Sequence, residues 1–202
     1  VRYNTEEEFN DISSWDSFNA KTINSGLSGY YGGIYDGQYI YFIPNYGDSR
    51  HGKVLRYNTN ENFMDQNSWE YFDASTINSG LKGFIGGTYD GRYVYFTPHY
   101  DATNNYHGKV LRYDTAQTFT SSGSWTYYDL ATLNTQYKGY YGGIFDGEYI
   151  YLIPDQYGTN TANKHGHVAR YNVNSPFTSS GSWDFFDASV INSGLKGFFG
   201  GT

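Results

Sequence analysis

Three markers recur four times in this chain and stay in phase. Trp15, Trp69, Trp125 and Trp183 each lie 17 residues before a Gly-Gly pair, which begins at Gly32, Gly86, Gly142 and Gly200. An Arg-Tyr pair, begun by Arg2, Arg56, Arg112 and Arg170, precedes each Trp by 13 residues. Fixed spacing among three markers implies one supersecondary unit used repeatedly, and the Trp-to-Trp steps of 54, 56 and 58 residues set its size. Such a unit cannot bury its apolar face alone, so the core must form between stacked neighbours.

Residues Gly83 to Asp129 show the unit as strands. Asp90-Gly91 separates two apolar runs, a strong signal for a two-residue hairpin in which both central residues tolerate positive φ. GFIGGTY is then strand A and RYVYFTP strand B. GKVLRYD follows as strand C, with Val110 and Arg112 on one face and Leu111 and Tyr113 on the other, and SWTYYD, anchored by Trp125, is strand D. Asp36-Gly37 and Asp146-Gly147 repeat the hairpin signal. Strand B is apolar on both faces in every copy (QYIYFIP, RYVYFTP, EYIYLIP), which implies sheets packed on both sides. Each run closes on Pro44, Pro98 or Pro154, where proline ends a ladder without costing an interior hydrogen bond. The Gly-Gly pair fits an innermost strand A, where converging backbones leave no room for a Cβ.

Four short antiparallel strands per unit at this period predict an all-β fold, a β-propeller of four-stranded blades. A β-solenoid is the competing architecture; its repeats are usually shorter and lack the hairpin turn. The chain reads as one array: a partial blade over 1–29, repeats over 30–83, 84–139 and 140–197, and a partial blade over 198–202. The order of Asp-Gly hairpin, strand B, a strand C ending Arg112-Tyr113-Asp114-Thr115, then Trp125 resembles kelch-type propeller repeats. Kelch repeats carry their Gly pair after strand B, where this chain has Pro98. GTYDGRYVYFTP, from Gly87, is also similar to propeller repeats of bacterial surface proteins with an FDGRYVYxxP signature. Neither resemblance implies catalytic residues.

A net charge of -7 with scattered Lys and Arg gives no basic stripe for phosphates, so nucleic acid is not an expected partner. No run approaches the roughly 20 apolar residues of a membrane span, so membrane insertion is not expected either. The absence of cysteine excludes disulfides, thiolate catalysis and the common structural zinc sites. With 24 Tyr and 25 Gly, the composition resembles that of surface and secreted β proteins and points to an extracellular or cell-surface location.

Length varies in one place only. From the Pro that ends strand B to the next His, the separation is 7, then 9, then 11 residues. Additions of two lengthen a hairpin by one residue on each side and keep flanking side chains on their faces. These BC loops share a rim with the DA loops in a propeller, and loops on a rigid scaffold are where binding tends to reside. The candidate ligand-binding residues are Tyr46, Arg50, His99, Tyr100, Asn104, Tyr106, Asp155, Tyr157 and Lys164 from the BC loops. Gln136 and Tyr137 join them from the DA loop of copy three, where they replace Gly and Leu of the others. Aromatic faces beside short polar chains suit a sugar; the alternative is that these are solvated hairpin tips.

His51, His107 and His165 precede strand C in every complete copy. Spread one per blade, they are too far apart to share an ion, and no carboxylate accompanies them at ligand spacing, so they are expected to bond the loop base, with no metal and no cofactor. Arg56, Arg112 and Arg170 read as blade-to-blade or turn contacts. Asp73, Asp129 and Asp187, with Asn19 in the first copy, read as caps of short turns. No catalytic motif is present. SSGSW at 121–125 and 179–183 shares only its Gly and Trp with sialidase boxes, and an acid pair such as Glu148 and Asp155 is what glycosidase chemistry would draw on, given suitable separation.

The chain opens in strand C and stops in strand A, giving 15 strands and one missing strand B. That mismatch fits a segment of a longer array, or head-to-tail assembly into a homo-oligomer or filament. A non-enzymatic structural or adhesive interaction module, with a protein or glycan partner at the rim, is the leading expectation. A carbohydrate-binding module is the alternative, and a glycoside hydrolase the third reading.

Overall fold

The structure is a computed structural model that describes residues 1–101, 105–159 and 161–201. Among these residues there is no α-helix. Fourteen strands alternate with short 3-10 turns, and no helix is long and apolar enough to cross a membrane. Strands β1 (Arg2–Tyr3) and β2 (Trp15–Asp16) pair as a two-stranded ribbon. Sheet one then runs β3 (Tyr30–Tyr35), β4 (Tyr39–Pro44), β5 (Lys53–Asn58), β6 (Trp69–Asp73). Sheet two runs β7 (Phe84–Tyr89), β8 (Tyr93–Pro98), β9 (Lys109–Asp114), β10 (Trp125–Asp129), and sheet three β11 (Tyr140–Phe145), β12 (Tyr149–Pro154), β13 (His167–Asn172), β14 (Trp183–Asp187). Each is a four-stranded antiparallel sheet with its strands in sequence order.

Register explains the constant spacings. Tyr57, Tyr113 and Tyr171 sit directly across from Trp69, Trp125 and Trp183 in the β5–β6, β9–β10 and β13–β14 ladders, so the 13-residue step from Arg-Tyr to Trp is a cross-strand pairing. The indole N–H, which burial obliges to find a partner, donates to the carbonyls of Phe63, Phe119 and Phe177 at 2.8 to 3.1 Å. Each Tyr, Phe and Trp thereby forms a compact triad on one face of its sheet.

The hairpin differs from the expectation. Gly91 and Arg92, not Asp90 and Gly91, are its central residues: the Asp90 N–H donates to the Tyr93 carbonyl, and Gly91 takes φ near +99°. The Asp90 carboxylate closes the turn, accepting from the amides of Arg92 and Tyr93 and from the Tyr95 hydroxyl. An Asx-type closure of this kind uses the Asp side chain and leaves the positive φ to glycine. Asp36 and Asp146 repeat it.

The core lies in three seams, each with its own buried cluster. Phe18 stacks on Trp69 between ribbon and sheet one, Phe72 on Trp125 between sheets one and two, and Tyr128 on Trp183 between sheets two and three, at 4.6, 4.7 and 5.8 Å. Arg56 and Arg112 bridge the last two seams, as expected, whereas Arg170 lies over Tyr149 of its own sheet and pairs with Asp184 there. Arg56 lies over Phe119 and donates to the Tyr113 hydroxyl, and Arg112 lies over Phe177 and reaches the Tyr171 hydroxyl. Sheet two is covered on both sides, so β8 is buried from Val94 to Pro98.

The first strands of the sheets converge. β7 packs against both β3 and β11, and the Tyr31 and Tyr141 hydroxyls meet at 2.8 Å. The Gly-Gly pairs of the three sheets each lie at a β-bulge, and at Gly86, φ +70°, a Cβ would lie 2.6 Å from Gly142 Cα. The expected fifteenth strand is not formed among the described residues: 198–201 join no ladder, and the Phe198 amide donates to the Pro154 carbonyl. Thr202 lies outside the described residues.

Candidate functional site

The BC and DA loops meet on one rim. After strand D, Asp73, Asp129 and Asp187 cap a 3-10 turn, each accepting from the amide two residues on, and Asn19 does the same in the first copy. The chain then crosses to a glycine whose carbonyl receives the first amides of the BC loop: Gly29 from Asn45 and Tyr46, Gly83 from Tyr100, Gly139 from Asp155 and Gln156. Gly83 has φ +68°, and a Cβ there would lie 2.0 Å from the Tyr100 carbonyl oxygen, so only glycine permits this contact.

The three repeated histidines hold that crossing from below. Nε2 of His51, His107 and His165 donates to the carbonyls of Ser28, Lys82 and Lys138 at 2.7, 2.9 and 3.0 Å. Nδ1 of each accepts the amide two residues on, which sets the neutral Nε2–H tautomer. Burial disfavours the imidazolium and drives all three below the usual histidine range, His107 to about 3 and His165 to about 4. They are scaffold, as the sequence indicated. Among the described residues no three His, Asp or Glu side chains gather as a metal-ligand set.

The BC hairpins lengthen as expected. An isolated bridge joins Tyr46 to Arg50, Tyr100 to Tyr106 and Gln156 to Lys164, always one residue inside the same two flanking positions. Immediately before each bridge stands a residue that differs in every copy: Asn45, His99 and Asp155, all buried. Asn45 donates to the Phe84 carbonyl at 2.8 Å. His99 Nε2 meets Asp155 Oδ2 at 3.1 Å, tying loop two to loop three. Burial lowers the His99 pKa and the carboxylate opposes that shift; Nδ1 of His99 has no partner among the described residues.

Above this tie, Arg50 lies between the rings of Tyr46 and Tyr100, 5.0 and 4.5 Å from their centres, and donates to Asn45 Oδ1. Burial lowers the Arg50 pKa, and the tyrosines oppose that shift. The Tyr100 and Tyr106 hydroxyls share a hydrogen bond of 2.9 Å, and Tyr106 is buried. Of the loop tyrosines expected to offer a stacking face, Tyr46 alone is exposed, at 55%.

Gln136, Tyr137, Tyr157 and Lys164 gather in a second place, around His165 and His167. Gln136, Tyr157 and Lys164 line a polar cleft of about 200 Å³ with Asp187 and Lys196. The exchange that marks copy three has a packing cause. In copy two a Cβ on Gly80 would lie 3.2 Å from Lys109 Nζ, whereas in copy three His167 replaces that lysine and meets the Gln136 side chain at 3.3 Å. Tyr137, in the place of Leu81, stacks on Phe185 at 3.7 Å.

The eleven candidates thus divide. Tyr46, Arg50, His99, Tyr100, Tyr106 and Asp155 form one cluster at the inner end of the rim; Gln136, Tyr137, Tyr157 and Lys164 form another at its edge. Asn104 lies outside the described residues. Asn45 was missed, although its position, right after the repeated Pro and different in each copy, was a visible signal. Glu148 and Asp155 flank the whole of β12, roughly 20 Å or more apart at strand rise, beyond the separation that two-carboxylate glycosidase chemistry requires. No known family model matches the chain, and no curated protein matches its sequence.

Proposed function

We propose that this chain is a β-propeller segment, its sheets acting as blades in the manner of kelch-like repeats, and that it serves as a non-enzymatic structural or adhesive interaction module of a surface or secreted protein. The BC/DA rim is the face that meets a protein partner. One observation carries this reading: the seams repeat with the same residue types, while all length variation and a non-repeated polar cluster, half-buried Arg50 with buried His99 and Asp155, fall at the rim. A scaffold held constant beneath loops that vary is the arrangement of a recognition surface. The burial of the His99–Asp155 pair supports a tie between loops over acid–base chemistry.

Shortening the loops over 99–106 and 155–164 to the length of 45–50 tests it. Capture of extracellular-matrix proteins by the immobilised chain should be lost while the fold is kept; capture that survives shortening refutes the rim as the contact face. A carbohydrate-binding role is favoured by the exposed Tyr46 ring and by Tyr157 beside the polar cleft. It predicts glycan-array binding abolished by Tyr157→Ala.

A further inference from the structure

Both seams between the four-stranded sheets are built from the same two halves. The giving half is a Tyr of the second strand, an Arg of the third and an aromatic residue of the fourth; between sheets one and two these are Tyr41, Arg56 and Phe72. The receiving half is the Tyr–Phe–Trp triad of the following unit, here Tyr113, Phe119 and Trp125. The seam between sheets two and three repeats the pattern, with Tyr95, Arg112 and Tyr128 against Tyr171, Phe177 and Trp183.

Among the described residues, one half of each kind has no counterpart against it. Sheet three presents Tyr151, Arg170 and Phe186 along an open cleft of about 480 Å³. Phe186 is 54% exposed, and Arg170 lies over Tyr149 of its own sheet. The N-terminal ribbon presents Tyr3, Phe9 and Trp15, already assembled: their ring centres are 4.8, 5.3 and 5.3 Å apart, against 4.7, 5.3 and 5.3 Å for Tyr57, Phe63 and Trp69. Yet Trp15 is 38% exposed, where the three seam tryptophans are 4% to 7% exposed, and Phe9 is 62% exposed. Among the described residues the two surfaces share no ring contact.

We propose that the open face of sheet three docks the Tyr3–Phe9–Trp15 triad of a second copy of this chain, forming a further seam of the same design as the two between the four-stranded sheets. Phe186 stacks on Trp15 of the second copy and Arg170 lies over its Phe9. The contact is heterologous, one end face on the opposite end face, so it propagates unless a closed ring forms. It uses the end faces and not the BC/DA rim, so it stands apart from the rim reading.

Sedimentation velocity of the whole chain tests this, with Phe186→Asp and Trp15→Asp as variants at exposed positions whose folding is checked by an unchanged urea midpoint. The unaltered chain should show a mass that rises above 23.0 kDa with concentration. Each variant alone should stay monomeric. Mixed one to one, they should form a dimer and nothing larger, because the Phe186→Asp chain keeps its ribbon and the Trp15→Asp chain keeps its sheet-three face. Tyr46→Ala, on the rim, should leave assembly unchanged. A monomer at every concentration, whether because the ribbon folds back onto its own chain or because the face takes a different partner, overturns the proposal. Assembly that persists in both variants overturns it as well.

Discussion

Acidification should weaken this protein before any carboxylate is titrated. His107 and His165 are buried and neutral, each with both ring nitrogens hydrogen-bonded to the backbone, and their pKa values fall to about 3 and about 4. In the unfolded chain an imidazole titrates near 6.5. The unfolded state therefore takes up the proton first, so the stability these groups contribute is complete above pH 6.5. It is lost as pH falls from there toward the folded values. At pH 5 the loss is about 1.5 units at roughly 1.4 kcal/mol per unit, or about 2 kcal/mol for each histidine and about 4 kcal/mol for the two. His51 and His99, also lowered by burial, act in the same direction. The depressed carboxylates Asp114 and Asp187 contribute only at lower pH, below the unfolded range near 4. Urea unfolding at pH 7 and pH 5 should show the full loss in the unaltered chain and about 4 kcal/mol less of it in a His107→Gln/His165→Gln variant. Equal pH dependence in the two, or a folded-state NMR titration of His107 near 6.5, would refute the reasoning.

Three further outcomes follow from the packing. Gly86→Ala should cost about 3 kcal/mol or more, combining a left-handed φ with a Cβ driven into Gly142, whereas Gly91→Ala, with nothing within 4 Å of its Cβ, should cost only the ~1–2 kcal/mol of the backbone conformation; urea midpoints compare the two. Tyr140→Phe should stabilise by about 1 kcal/mol, since the Tyr140 hydroxyl is buried with no partner among the described residues and Phe84 fills the same place in copy two; a calorimetric melt reads the shift. Phe72→Ala, which removes the stack on Trp125, should cost about 3–5 kcal/mol. Phe186→Ala, at the same position of sheet three but exposed, should change the stability of dilute protein by no more than about 0.5 kcal/mol.

The strands, their order and the seam role of Arg56 and Arg112 were legible in the sequence because periodicity, Asp-Gly turns and fixed spacings are local consequences of a ladder. The hairpin centre was misplaced by one residue because the Asp carboxylate, rather than the Asp backbone, shapes that turn. Which loop residues fold inward was not legible. Tyr106, His99 and Asp155 resemble exposed hairpin residues in sequence, and only the convergence of three sheets at one end brings their loops close enough to bury them. Gln136 and Tyr137 break the pattern in copy three, and the structure pairs that exchange with the change from Lys109 to His167 on the adjoining strand.

The convergence of the first strands is what separates a wheel of sheets from a linear stack, and the absence of cysteine makes it measurable with two labels. In the structure the Tyr31 and Tyr141 ring centres, from sheets one and three, are 6.1 Å apart. In a linear stack, sheets one and three would stand roughly 20 Å apart, two spacings of about 10 Å. Spin labels on a Tyr31→Cys/Tyr141→Cys variant should show strong dipolar broadening within a single chain. An unbroadened spectrum, with the labels separated by about 20 Å or more, would contradict the converging arrangement on which the functional reading depends.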